Sequence, residues 1–476
     1  MKKLLLAFVP LALFAQVKID TVIRGLPSQY LGESFFIPEL NKLYVIGVNQ
    51  FLVLDCSTYQ MKAQIPATTG LGHYSWNWRR QKLYIDCNPS PESTLVVDAA
   101  ADSILGWLTV PDFMFTDAYL SDVDRLYVPG NETLYAFDCA GDTVAQRTLF
   151  PVPGHGTTTV SWDSVASKLY VGGGAHLGVY DYVADSFTKV MNVSAIPAHL
   201  RDAFVFNYSN HRGYLGPRQP ELSFAKVGIV DTELDTLLGV LPVSIGYGLY
   251  CQTAVDQRDG KVYIASTDGA LATPDTLWIV DCVTDSVLKK VEYEHSGYGA
   301  LCVRWVPWSN RIYLSTADWD SSHIVVLDCN TDSIIVPKLQ LGHKVALDIQ
   351  LDPVRERIFV IGADSGTIHV LRDVGYGVAE PPSAGPQLAS GLQVQMTSGG
   401  YDVRYSVPSP CRVDLSVYDL MGREVRHLVA EEQPAGQHNA VWNCTDRSGA
   451  AVARGVYFVR LDASGSTDVK KAVVTR

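Results

Sequence analysis

One four-residue motif, returning eight times, constrains this chain more than any other feature. A basic residue, one further residue, an aromatic and an aliphatic read KLYV (42–45), KLYI (82–85), RLYV (125–128), KLYV (168–171), RGYL (212–215), KVYI (261–264), RIYL (311–314) and RIFV (357–360). The aromatic falls at 44, 84, 127, 170, 214, 263, 313 and 359, so the spacing is 40 to 50 residues. A unit of that length cannot bury its apolar face alone and must stack on its neighbours. When the unit is built of short strands, the period is that of a four-stranded propeller blade.

The rest of each unit agrees. After every anchor comes a second apolar strand, ending in Asp55, Asp98, Asp138, Asp181, Asp231, Asp281, Asp328 and Asp373. In six units another Asp stands four residues later, as in DAAADSIL, DYVADSFT and DTELDTLL. Asp brackets a tight hairpin because its carboxylate accepts hydrogen bonds from the turn's own N–H groups. A calcium loop needs more oxygen ligands than two carboxylates supply. An apolar strand precedes each anchor, for example TTTVSW (157–162) or VALDIQL (345–351), and an outer strand such as VLKKVEY (287–293) ends the unit. The inner strands read as apolar because they would line a tightly packed channel. The eighth unit stops at Asp373, whereas residues 17–24 form a lone strand of the outer type. The N-terminus is therefore expected to supply the missing strand and close the ring, which removes exposed edges. The expected fold is all-β: an eight-bladed β-propeller over 16–373, with seven blades as the open alternative, then a Gly/Pro-rich linker at 374–387 and a small Ig-like β-sandwich at 388–476.

Bulk properties narrow the setting. With 476 residues, 47% hydrophobic and 18% charged, the chain exceeds one ordinary core and is not disordered. Residues 1–15 read as a secretory signal peptide: Lys2 and Lys3, an apolar run from Leu4 to Phe14, then the small Ala15. That run falls short of the roughly 20 residues a spanning helix needs, and no membrane span is expected. The net charge is −12, while the segment from Leu388 onward carries ten Lys/Arg against nine Asp/Glu. The acidity thus belongs to the larger part, which argues against nucleic acid and anionic membrane as partners. Nine cysteines in a secreted chain suggest disulfides. Four of them, Cys56, Cys139, Cys282 and Cys329, follow the strand-ending Asp in different repeats. Equivalent positions around a ring lie beyond the Cα separation of about 7 Å that a bridge tolerates. They are expected to be reduced and buried, and with no CxxC neither a metal nor a cofactor is expected.

The anchor and Asp-ending strands resemble the YVTN/YncE-like β-propellers over about residues 17–373, with Asp-Cys where Asp-Thr is usual and eight units where seven are common. This resemblance implies binding or scaffolding on a surface more often than catalysis. The tail has shorter strands separated by turns, the pattern of an Ig-like sandwich. Its elements Val417-Tyr418-Asp419, Gly422-Arg423-Glu424, Pro434-Ala435-Gly436, Trp442, Asp446-Arg447-Ser448-Gly449, Gly455-Val456-Tyr457 and the basic ending from Lys471 to Arg476 resemble a known module. It is the C-terminal domain shared by FlgD-type Ig-like modules and the type A sorting domain of the type IX secretion system. The resemblance implies export to the cell surface through the secretion machinery. The Asn-Pro-Phe usual near the start of such tails is replaced by Met396-Thr397-Ser398-Gly399. Each element also has a plain physical reading: Gly422 and Gly449 permit the positive φ of hairpin turns, and Trp442 and Tyr457 are core candidates.

No GxSxG, HExxH, P-loop, GxGxxG or sialidase-type Asp box is present, so no catalytic residue is assigned. His73, His155, His199, His295 and His343 all stand just before an inner strand and would converge on one mouth of the channel. Imidazoles so placed can hold a metal or an anion, or each can cap its own blade by bonding a nearby Asp or Ser. The longest connections (216–225, 265–276 and 315–322) emerge on the same face, and Asp318, Trp319 and Asp320 there suit a cation or a sugar. The expectation is a secreted or cell-surface binding module that takes an unknown protein or carbohydrate ligand at the propeller face. The alternative is a secreted lyase or hydrolase working at the channel mouth.

Overall fold

The computed structural model describes residues 15–474 except 29, 68–72, 88–92, 111–116, 155–156, 195, 197–202, 217–225, 244–252, 267–274, 295–299, 318–320, 343–344, 377–391, 398–399, 408–409, 420–422 and 464–465. The expected signal peptide, residues 1–15, lies outside these but for Ala15. Each β-branched and aromatic run becomes a strand, and four consecutive strands pair antiparallel into one sheet. Blade 1 is Leu31–Ile37, Lys42–Gly47, Gln50–Asp55 and Met61–Pro66 in that order. Blades 2 to 7 repeat the pattern, with inner strands Tyr74–Asn77, Ala118–Leu120, Thr157–Asp163, Ala203–Asn207, Thr253–Asp256 and Ala300–Val306. Blade 8 holds Ala346–Asp352, Arg357–Gly362 and Thr367–Tyr376, and its outermost strand is Ala15–Ile23. The N-terminal strand pairs from Ala15↔Tyr376 to Ile23↔Ile368, as the lone-strand pattern at 17–24 predicted.

Eight apolar clusters sit between these sheets, one at every joint of the ring. The joint between blades 8 and 1, for instance, packs Leu43, Val45, Leu52, Leu54 and Cys56 against Phe359, Ile361, Ile368 and Val370. Because each sheet is covered on both faces, its middle strands are continuous apolar runs rather than alternating ones. Outer strands such as Thr143–Leu149 are largely exposed. The pairing of third and outer strands slips by one residue at the same place in seven blades, beginning with Val53/Leu54, Val96/Val97 and Ala136/Phe137. A bulge there raises the twist that the packed sheets need.

The two repeated aspartates have different tasks. The first caps its own hairpin: Asp98 Oδ1 accepts from the N–H groups of Ala100 and Ala101 at 2.9 Å, and Asp281 Oδ1 from Val283 and Thr284 at 2.8 Å. The second sits at positive φ (54° at Asp102, 52° at Asp142, 50° at Asp332), a conformation Asp tolerates better than most residues. Its carboxylate points away from its own turn, into the preceding blade, where it takes hydrogen bonds from the basic and tyrosine residues of the anchor motif. Lys42 Nζ and Tyr44 Oη donate to Asp102 Oδ1 at 2.7 and 2.5 Å. Lys82 and Tyr84 do the same to Asp142, Lys168 and Tyr170 to Asp235, Arg212 and Tyr214 to Asp285, and Lys261 and Tyr263 to Asp332. The motif read as a strand signature is thus also an inter-blade clasp.

Blade 8 keeps the clasp without the turn. Its third strand runs straight on to Tyr376, and Asp373, one residue past the usual register, receives both Arg311 Nη1 and Tyr313 Oη. At the next joint the clasp is absent. Blade 1 has Tyr59 where other blades place the second Asp, and blade 8 has Phe359 in place of Tyr; the two rings meet edge-on at 6.2 Å. Arg357 instead pairs with Asp20 on the outermost strand of its own blade, at 3.1 Å.

The cysteines that follow the first Asp are free and buried, as the repeat-slot reading requires. Ala99, Tyr182 and Thr232 fill the same slot in other blades and are equally buried. Burial raises the Cys139 and Cys282 thiols to about 11.

The tail is a two-sheet sandwich. One sheet holds Gln393–Thr397, Gly400–Val407 and Gly436–Trp442; the other holds Glu424–Gln433, Cys411–Tyr418, Gly455–Ala463 and Ser466–Val474. It has its own apolar core, centred on Trp442, which is 0% exposed and contacts the rings of Tyr401 and Tyr457. Gly400 is required here: its φ is +143°, and a Cβ would lie 2.2 Å from the Trp442 carbonyl oxygen.

Candidate functional site at the channel of the ring

In an antiparallel blade, the connections from inner to anchor strand and from third to outer strand leave one face of the ring, called here the turn face. The remaining connections leave the opposite, loop face. His73 lies on the loop face at the start of the blade 2 inner strand, half-buried, its Nδ1 3.8 Å from Glu33 Oε2 of blade 1. His155, His199, His295 and His343 lie outside the described residues, as do Asp318, Trp319 and Asp320.

The inner strands are not uniformly apolar, which corrects the sequence reading. Successive side chains of a strand alternate sides, so one set packs between blades and the other faces the channel. The channel-facing set includes polar groups that bridge strands not otherwise joined. Asp348 Oδ2 of blade 8 accepts from the N–H and Oγ of Ser34 in blade 1, at 3.0 and 2.8 Å. Gln350 Nε2 donates to the Ser34 carbonyl at 2.8 Å and meets Tyr74 Oη of blade 2 at 3.1 Å. Arg304 of blade 7 donates to the Ile349 carbonyl at 3.2 Å and lies 3.4 Å from Asp348. None of these residues recurs by repeat.

At the same level of the channel, Ser75 Oγ of blade 2 donates to Asp117 Oδ1 of blade 3 at 2.6 Å. Asp117 Oδ2 has no hydrogen-bond partner among the described residues. Burial raises this carboxyl to about 7, against the lowering effects of Ser75 and His73. Glu33, His73, Ser75 and Asp117 therefore form a polar group at the loop-face end of blades 1 to 3. Sequence reasoning found only His73 of the four. The available signal was the presence of ionisable residues beside or within inner strands at positions where most other repeats carry none. Among the described residues no group of three or more His, Cys, Asp or Glu side chains is arranged to hold a metal ion.

The tail motif residues divide between turn and core. Asp419 Oδ1 accepts from the Arg423 N–H at 3.0 Å, and Arg423 Nε donates to Asp419 Oδ2 at 2.6 Å, which closes the loop between two strands of the sandwich. Gly422 lies outside the described residues. Tyr418 ends its strand, raised by burial to about 12. Gly436 and Gly455 open strands at φ of +135° and +154°. Asp446 Oδ1 gathers the N–H groups of Ser448 and Ala450, with Gly449 at φ +83°. Trp442 and Tyr457 are core, and Lys471 reaches Glu356 of the ring at 3.0 Å.

With this geometry in hand, comparison with known proteins is direct. Residues 391–467 match the family model of the FlgD Ig-like domain. No curated protein matches the chain. Among solved structures it is similar to BamB from Moraxella catarrhalis, with TM-score 0.54 and 12% identity over 75% of this chain and 100% of that one. It is also similar to the Dos1 propeller, with TM-score 0.56 and 14% identity over 76% of this chain and 96% of that one. A third is Sqt1 from Saccharomyces cerevisiae, with TM-score 0.56 and 10% identity over 74% and 98%. The chain is a β-propeller followed by a FlgD Ig-like domain. At these identities the likeness shows the fold of the ring and carries no ligand with it.

Proposed function

We propose that this is a secreted or cell-surface recognition scaffold of the YVTN/YncE-like kind. Its loop face meets a protein or carbohydrate, and its tail serves sorting or attachment in the manner of a type IX type A domain. One observation carries the reading. The charged residues of the repeat are committed to hairpin caps and to pairs within or between blades, whereas the polar group of Glu33, His73, Ser75 and Asp117 lies at the loop-face end of the channel. Loops on a rigid scaffold are where recognition concentrates. Among the described residues no helix is long and apolar enough to cross a membrane.

The test has two arms. Purified full-length protein, screened on arrays of glycans and extracellular proteins, should retain a ligand whose binding is lost in Glu33→Lys and kept in the turn-face variant Glu356→Lys. Binding that ignores Glu33→Lys would remove the loop face from the reading. In the native host, deletion of 388–476 should hold the protein in the periplasm, and unchanged surface display would reduce the tail to a spacer.

A second reading, a lyase or hydrolase, draws on the Asp117 carboxyl, which titrates near 7 beside His73, where an acid–base group works best. Turnover of a polysaccharide by the intact protein, lost in Asp117→Asn, would favour it.

A further inference from the structure

Among the described residues, the Ig-like module contacts the ring at the turns between inner and anchor strands and at the inner-strand residue Trp162 beside one of them. These turns encircle the channel on the turn face. The Arg423 guanidinium lies over the Trp162 ring of blade 4, 5.0 Å from its centroid. Arg447 Nη1 approaches the Val165 carbonyl of the same blade at 3.5 Å. Tyr208 of blade 5 lies close enough to feel the charges of both Arg423 and Asp419. Arg460 Nη1 donates to the Gln257 carbonyl of blade 6 at 2.6 Å, and Lys471 Nζ to Glu356 of blade 8 at 3.0 Å. On blade 1 the Glu39 carboxylate acts on the tail's Tyr457. Contacts with blades 1, 4, 5, 6 and 8 are spread around the mouth, so the module sits across it.

We infer that the Ig-like module is a stopper seated on the turn face of its own ring, with the Arg423 guanidinium as one point of its seat. The turn face supplies what an arginine-bearing module needs: an indole face for the guanidinium and backbone carbonyls as acceptors. Two consequences follow. The channel becomes a blind well that opens only on the loop face. Arg423, part of the sorting-type motif, is engaged in cis, so any outside partner that reads it must first displace the ring. The seat is polar, and beside it runs a cleft of about 840 Å³ bounded by His211 on the ring and Asp414, Arg426 and His427 on the tail. Polar, incompletely filled contacts between domains are of the kind that open and close, which makes the stopper removable.

Zero-length carbodiimide cross-linking of the full-length protein, read by mass spectrometry, tests the inference. Lys471 should be joined to Glu356, with the ring's own Lys338–Glu294 pair, also 3.0 Å apart, as the internal standard. The ratio of the two products should fall about five-fold in Arg423→Ala, the order expected for loss of one cation–π contact. Because Arg423 also braces its own loop, Trp162→Leu gives a second route that leaves the tail sequence untouched and should show the same fall. A Lys471–Glu356 product that is missing while Lys338–Glu294 forms, or a ratio unmoved by both substitutions, overturns the stopper. Neither outcome bears on ligand binding at the loop face, so the two readings fail separately.

Discussion

Seven of the eight joints of the ring and the joint that closes it solve one problem with different chemistry. At six of the seven a basic residue of one blade meets an aspartate of the next, mostly with tyrosine beside it, all part-buried at the rim. The seventh, from blade 7 to blade 8, uses Arg311, Tyr313 and Asp373, and there the ion pair is fully enclosed, with the two side chains 1% and 0% exposed. The closing joint, blade 8 to blade 1, has neither charge and meets through Phe359 and Tyr59. The difference follows from how the ring is closed. Blade 8 borrows its outer strand from the N-terminus, so it has no hairpin to carry a second Asp, and Asp373 on the strand itself takes that part. Blade 1 keeps its hairpin but places Tyr59 there, and its partner Phe359 has lost the hydroxyl that an aspartate would have bonded. Both positions differ from their counterparts in the other blades in the same sense, with an aromatic contact where those have a polar clasp.

The largest effect should come from the enclosed pair. Asp373→Ala takes the carboxylate away from the buried Arg311 guanidinium, a loss of about 3–5 kcal/mol. Asp332→Ala removes the same partner from Lys261 and Tyr263, but that lysine can turn to water, and about 1–3 kcal/mol is expected. Chemical denaturation of the two variants separates these values. If Asp373→Ala costs no more than Asp332→Ala, the joints are equivalent and the contrast is void.

Much of this was legible in the sequence, and the remainder was not, for identifiable reasons. The anchor and the first Asp act within one hairpin, over a few residues, so their repetition exposes them directly. The second Asp looked like a turn residue because its true partner, a lysine or arginine, stands 60 to 73 residues earlier in the pairs Asp102–Lys42, Asp142–Lys82 and Asp285–Arg212. Spacing within one unit cannot show a contact between units. The channel network of Ser34, Arg304, Asp348 and Gln350 was invisible for the opposite reason: it does not repeat, and three of the four stand inside strands that otherwise read as apolar. Tyr457 and Trp442 were recognisable as core, but the seat of Arg423 on Trp162 joins two domains that share no pattern.

A second expected effect tests the inner end of a clasped joint, where Ser75 and Asp117 link blades 2 and 3. The Asp117 carboxyl is raised to about 7 from 3.8, so its neutral form is the one the fold prefers. The stability this group contributes is complete below pH 4 and is lost as pH rises through 7. Asp117→Asn should therefore melt like the unaltered protein at pH 3.5 and be more stable at pH 8.5. The gain should be on the order of 2 kcal/mol, less than the full shift implies because the residue is partly open to water. Equal melting differences at the two pH values would show that Asp117 does not titrate in this range.

Smaller still is the effect expected on thiol access. Cys56 belongs to the apolar cluster of the closing joint, while Cys139, Cys282 and Cys329 belong to clasped joints. All are buried, and modification requires local opening. If the aromatic joint is the first to open, iodoacetamide should label Cys56 about ten times faster than the other three in the native protein, equivalent to roughly 1.4 kcal/mol in opening free energy. Equal rates would mean the ring opens only as a whole.

The smallest effect is the most specific. Phe359→Tyr adds a hydroxyl at a joint whose hairpin carries Tyr59 and no aspartate, and Tyr59→Asp puts a carboxylate against Phe359, so each alone should destabilise. Asp is also the residue that six other blades carry at this position, at φ of 50° to 54°, close to the 60° of Tyr59, so the backbone accepts it. Together the two substitutions rebuild the clasp, for which Arg357 must leave Asp20, a part-exposed partner 3.1 Å away, and the carbonyls of Arg355 and Glu356. The double variant should then be more stable than the sum of the singles by about 0.5–1 kcal/mol, the range of direct pairwise couplings between contacting residues. Strict additivity in that cycle would mean the clasp depends on the hairpin geometry of its own blades, and that the closing joint cannot be converted into the other kind by side chains alone.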